Sequence, residues 1–168
     1  MNIKEISKQD FTFLLIHILE KSLEVNFKHF EKQFKKYRIK ENTKLYHEFV
    51  YLTLYSIVYV CESIFEDTKE RNKILDAFHL LVYKKIFEKE KVNFKKWFNN
   101  IADKYEKYKK VITRFRESKE NFALSDLIIK NVLNQEDNRD VLLRFLITSL
   151  FYENIKAIQK TLDGIKVK

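Results

Sequence analysis

One glycine, Gly164, and no proline occur in 168 residues, where average usage would supply roughly a dozen glycines and about eight prolines. Hairpin turns, strand bulges and tight βα loops lean on those residues for positive φ or a fixed turn. Their scarcity argues against sheet-rich folds. It also removes chemistry, because a P-loop, a dinucleotide-binding turn, a nucleophile elbow and an EF-hand loop each need glycines at set places. A single cysteine, Cys61, excludes an internal disulfide and a cysteine-rich zinc site. The opening Met1-Asn2-Ile3-Lys4-Glu5 has neither an apolar signal core nor a cleavage pattern. Long hydrophobic runs are missing too. The longest uncharged apolar stretch, Phe49 to Cys61, is bounded by Glu48 and Glu62 and is too short to span a bilayer. No transmembrane segment and a cytoplasmic setting are expected.

Hydrophobic residues make up 45% and charged residues 34%, the balance of a globular chain. The reading is an all-α fold: residues 1–168 as a single-domain bundle of five to seven helices joined by short polar connections. Ser7 with Asp10 three residues on has the form of a helix-capping start. Ile16, Leu19, Leu23, Phe27, Phe30, Phe34 and Tyr37 then mark one apolar face, as one long helix or as two with a bend near Val25-Asn26. Asn42-Thr43 opens a second helix to about Phe65, and Asp67-Thr68 a third to about Glu90. Asn93 caps a fourth, with Trp97, Ile101, Tyr105, Tyr108, Ile112 and Phe115 inward, and the pattern loses phase near Ser118. Leu124, Leu127, Ile128 and Val132 place a short fifth helix. After the polar loop Asn134–Asp137, a last helix is opened by Asp137 and Asp140 and closed by Gly164.

Two segments, Ile74–Phe87 and Val141–Ile158, are apolar nearly all the way round. Such a helix lies at the centre of a bundle or against a partner. This surplus motivates the leading expectation: a non-enzymatic interaction protein working through apolar helix faces, as a homo-oligomer or with another protein.

Charge suggests a second expectation. The formal net charge is +9, and residues 69–116 supply all of it, with fifteen Lys/Arg against six Asp/Glu. Lys96, Lys107, Lys110 and Arg114 share one side of the fourth helix with Asp103, and Lys104 flanks them. A basic stripe over residues 84–116 suits nucleic-acid phosphates or an acidic partner. The alternative function is therefore a nucleic-acid-binding helical module within a nucleoprotein assembly. Asp103 and Glu106 interrupt the stripe, and lysine far outnumbers the arginine forks that read bases.

Polar residues inside apolar helices supply weaker candidates. Asp76 and His79, three apart, form half of a carboxylate-bridged di-metal motif, with Glu48 and Glu62 as conceivable further ligands. That makes a helical-bundle metalloprotein a third alternative. No second carboxylate-x-x-His exists, so no metal, cofactor or small-molecule substrate is assigned from the sequence. Tyr51, Tyr55 and Tyr59 line one side of the second helix, a pattern expected at a boundary between core and water. A sharper version makes a polar network of Glu48 and His47 with Asp76 and His79. Cys61, inside the apolar run, is expected to be an inert core thiol.

Overall fold

The computed structural model describes residues 4–36, 43–118, 122–133 and 141–168, and side chains except those of 29–36, 114–118 and 133. Among the described residues six helices pack as an all-α bundle: α1 Lys8–Lys36, α2 Thr43–Ile64, α3 Thr68–Val82, α4 Phe94–Ser118, α5 Ala123–Leu133 and α6 Val141–Leu162. Sequence signals account for several boundaries. The Ser7 hydroxyl accepts from the Asp10 amide and donates to its carboxylate, closing the first turn of α1. The Asp67 side chain accepts from the amides of Lys69 and Glu70, and Asn93 accepts from Lys96. Asn42, Asp137, Asp140, Tyr37 and the loop Asn134–Asp137 lie outside the described residues.

The long-helix reading of the first segment holds, since α1 runs unbroken through Val25-Asn26. Asn26 sits in it for a different reason. It is buried, and its side-chain amide donates to Asn154 Oδ1 on α6 at 3.3 Å, so a polar pair ties the two helices together.

α2 packs against every other helix, and fourteen of its twenty-two residues are buried, without a break from Phe49 to Val58. The sequence left α3 and α6 open between a central place and one against a partner, and they do not occupy the centre. Instead α3 buries one face, formed by Ile74, Leu75, Phe78, His79 and Val82. α6 buries a single stripe of Leu143, Ile147, Phe151, Asn154, Ile158 and Leu162. Their remaining apolar residues stay outside, with Leu80 at 41% exposure and Val141, Leu142 and Phe145 near 60%. An uninterrupted absence of charge put α2 in the middle, while apolar residues interleaved with Lys, Arg or Asp could not be enclosed on all sides.

Past Val82 the chain makes one π-helical turn, Tyr83–Phe87, with the Glu88 amide reaching the Tyr83 carbonyl at 2.9 Å. The wider turn seats Phe87 (1% exposed) against Tyr51, His47 and Trp97. The helix then ends in a Schellman arrangement. The Val92 amide bonds to the Phe87 carbonyl and the Lys91 amide to that of Glu88. The left-handed position is filled by Lys91 at φ 58°, where glycine is usual. Gly164, at φ 76°, takes the equivalent left-handed role after α6.

One feature has no counterpart in the sequence reading. β1, Lys4–Ile6, pairs in parallel with β2, Ile165–Val167, in the register Lys4↔Ile165 to Ile6↔Val167. The Lys4 amide to the Gly164 carbonyl at 2.8 Å and the Lys168 amide to the Ile6 carbonyl at 3.0 Å extend the ladder. Three-residue strands carry too little alternation to register as a period.

Candidate functional site

Two regions offer themselves: a polar cluster that opens into a cleft, and an apolar groove on another part of the surface.

The cluster is built on Glu48, one turn into α2 and 4% exposed. Its Oε2 takes the Lys104 ammonium of α4. Its Oε1 accepts from the Tyr108 hydroxyl at 2.7 Å and from Asn131 Nδ2 of α5 at 2.9 Å. Three side chains from two helices, α4 and α5, thus converge on one buried carboxylate. Burial raises the Tyr108 phenol well above its usual range, reinforced by the Glu48 charge and by donation to it. The hydroxyl therefore stays protonated and serves as a donor. Lys104 also lies 5.8 Å from the Tyr51 ring centroid. The cluster opens on a cleft of about 610 Å³ lined by Lys44, His47, Tyr51, Asn100, Lys130 and Asn131 as well as Glu48 and Lys104.

The sharper sequence expectation is therefore half corrected. Glu48 does organise a core network, but its partners are Lys104, Tyr108 and Asn131, not Asp76 and His79. His47 turns elsewhere, its Nε2 lying 2.8 Å from Glu90 Oε2. The tyrosine line is corrected as well. Tyr51 and Tyr55 are each 6% exposed and belong to the core, with only Tyr59 half-buried at the margin. Tyr51 stacks on Phe87 at an 8° interplanar angle, and Tyr55 meets Tyr105, Tyr108 and Phe151. Neighbouring helices supply the aromatic faces that cover these rings, which the pattern along α2 alone does not reveal.

The metal candidates do not converge. Asp76 and Glu62 are exposed, whereas His79 is buried. His79 Nε2 lies 2.8 Å from the Tyr105 hydroxyl. Desolvation lowers its pKa to about 4, against smaller opposing effects of Asp76 and a backbone bond to Leu75. A neutral imidazole donating to Leu75 through Nδ1 and accepting from Tyr105 through Nε2 fits both observations. Among the described residues no group of three or more His, Cys, Asp or Glu could hold a metal ion. Cys61 is fully buried, and desolvation pushes its thiol up to about 12.

The basic stripe divides. Lys96, Lys107 and Lys110 are exposed on α4, and Lys107 is paired with Asp103 at 2.6 Å. Lys104 leaves the stripe altogether, its side chain 15% exposed against Glu48. The side chain of Arg114 lies outside those described.

The apolar groove runs between α1 and α3. Its volume is about 370 Å³, and Phe13, Ile74, Ala77, Leu80 and Leu81 line it. Phe13, one of its walls, is 53% exposed. Among the described residues, no helix is long and apolar enough to cross a membrane.

Sequence reasoning passed over Asn100, Lys44, Lys130 and Asn131. The one available signal was Lys130-Asn131 interrupting the apolar run of α5. No family model matches the chain, and no curated protein or solved structure matches it either.

Proposed function

We propose that this protein is a helical interaction module that pairs with a second copy of itself through the α1–α3 face. One observation carries the reading: a half-exposed phenylalanine, Phe13, forms one wall of an apolar groove whose other lining residues include Ala77, Leu80 and Leu81. A two-fold interface is isologous, so a protrusion and its receptor must lie on the same patch. Here they do. Phe13 of each copy fills the groove of the other, and exposed Leu80 joins the buried patch. A stable dimer of this kind buries about 1,200–2,000 Å² in total, with an aromatic anchor near its centre.

Light scattering coupled to size exclusion tests the reading. The wild type should run at about 41 kDa, two chains of 20.5 kDa, and Phe13→Glu or Leu80→Glu at the mass of one. Val25→Glu, at an exposed position on α1 outside the groove, should leave the dimer intact. A monomeric wild type, or a dimer indifferent to both groove substitutions, overturns the reading.

The exposed ammonium groups of Lys95, Lys96, Lys107, Lys109 and Lys110 along α4 support nucleic-acid binding as a second reading. It predicts binding that weakens steeply with salt and is lost in Lys107→Glu/Lys110→Glu. No binding at low salt refutes it.

A further inference from the structure

We propose that the corner of the bundle where the π-helical turn leads into α4 binds an anionic lipid surface. Two phenylalanines at the start of α4, Phe94 and Phe98, are 41% and 40% exposed. Four residues apart, they share one side of the helix, with ring centroids 5.9 Å apart. Tyr83 of the π-helical turn meets the Phe94 ring edge-on at 4.9 Å, and the buried Trp97 ring lies 6.0 Å from it. The two exposed rings thus form an apolar knob seated on an aromatic base.

Charge around this knob is uncompensated. Lys84, Lys89, Lys91, Lys95 and Lys96 are exposed along the same stretch of chain, and no ion pair engages them among the described residues. Lys85 is held by Glu20. The acids of this stretch are Glu88 and Glu90, and Glu90 is taken by His47, so Glu88 alone opposes the unpaired ammonium groups. The next acids on the two helices are more distant. Asp76 lies about two turns before Tyr83, and Asp103, paired with Lys107, lies more than a turn beyond Phe98.

An apolar knob ringed by ammonium groups is the complement of an anionic bilayer surface. The rings enter the boundary of headgroups and acyl chains while the lysines meet the headgroup charges. Neither signal holds a protein on a bilayer firmly by itself, and together they do. A polynucleotide fits less well. A base slots between two rings that are parallel and about two stacking distances, roughly 7 Å, apart, whereas Phe94 and Phe98 are closer and tilted by 32°. Residues 83–98 also contain no arginine, the planar fork suited to phosphodiesters and base edges. The corner shares no residue with the α1–α3 groove, so it stands independently of pairing between copies.

Sedimentation of the full chain with vesicles of equal parts phosphatidylcholine and phosphatidylserine, at low salt, tests the site. The protein should bind these vesicles and leave those of phosphatidylcholine alone unbound. Phe98→Ser removes one exposed ring, keeps Phe94 on Trp97 and should weaken binding about ten-fold. Lys91→Gln/Lys95→Gln should weaken it roughly 25-fold, about five-fold for each ammonium group. Phe98→Trp should bind at least as well as the wild type, and Lys107→Gln/Lys110→Gln, farther along α4, should match it. Far-ultraviolet circular dichroism checks that each variant is folded. Failure to sediment with the mixed vesicles overturns the proposal, as does equal binding to both kinds of vesicle. Binding indifferent to Phe98→Ser, or weakened as much by Lys107→Gln/Lys110→Gln as by Lys91→Gln/Lys95→Gln, also overturns it, since general surface charge would then suffice. A single-stranded oligonucleotide that displaces the vesicles and itself loses affinity in Phe98→Ser overturns it in favour of a polynucleotide.

Discussion

Replacing Glu48 by alanine tests the polar core most severely. The substitution removes an acceptor serving three donors at once. Tyr108 is 0% exposed, so its hydroxyl would be left buried without an acceptor, a cost of about 1–3 kcal/mol. Lys104 loses its counter-charge. Breaking a buried ion pair from one side costs about 3–5 kcal/mol in general. Here the lysine side chain is 15% exposed beside an open cleft, so its ammonium can turn to water, and the low end applies. Taking the low end of both costs, the expected total is about 4 kcal/mol, against roughly 5–15 for a whole domain. Urea unfolding followed by Trp97 fluorescence is the natural assay, since this single tryptophan is 1% exposed and its emission should move to the red on unfolding. The slope with urea should stay constant while the midpoint falls. Glu48→Leu/Lys104→Leu should be markedly less destabilised than the sum of its single variants, because no charge is then stranded. A loss below about 1 kcal/mol for Glu48→Ala, or strict additivity in the double variant, would refute the reasoning.

Other outcomes follow from single residues. His79 has a folded pKa of about 4 against 6.5, so the unfolded chain takes up its proton first as pH falls. Its contribution is intact above about pH 6.5 and declines toward pH 4, by about 3 kcal/mol at most. His79→Gln should flatten that segment of the stability–pH curve, and parallel curves for the two proteins would contradict it. Cys61, pushed up to about 12 and fully buried, should resist thiol reagents in the native state and react on unfolding; rapid native labelling would speak against its placement. Lys91→Gly should raise stability by about 1 kcal/mol, since the left-handed conformation at φ 58° penalises a side chain. A loss of stability in that variant would count against the Schellman ending.

What the sequence disclosed was whatever depends on one helix at a time. The stripe Trp97, Ile101, Tyr108 and Ile112 identified the inner face of α4, and all four residues are buried. Ser7, Asp67 and Asn93 marked helix starts because a cap acts on amides two or three residues away. The Glu48 cluster obeys no such local rule. Its partners lie 56, 60 and 83 residues distant, and whether Lys104 faces Glu48 or solvent depends on how α4 is rotated against α2. A repeat of three or four cannot express that rotation. Apolar content left the placing of α3 and α6 open for a related reason: both spread their large residues around the axis, and Leu80 and Phe145 lie outside. On α3 that surplus leaves Leu80 in the groove that Phe13 of α1 also lines.

The proposed pairing through that groove is best tested directly by contacts between copies. In an equimolar mixture of isotope-labelled and unlabelled chains, an isotope-filtered nuclear Overhauser experiment registers only contacts between molecules. Cross-peaks from the Phe13 ring of one copy to the Ala77 and Leu81 methyl groups of the other are the predicted result. A spectrum without them, from a sample whose mass is that of a single chain, would contradict the account.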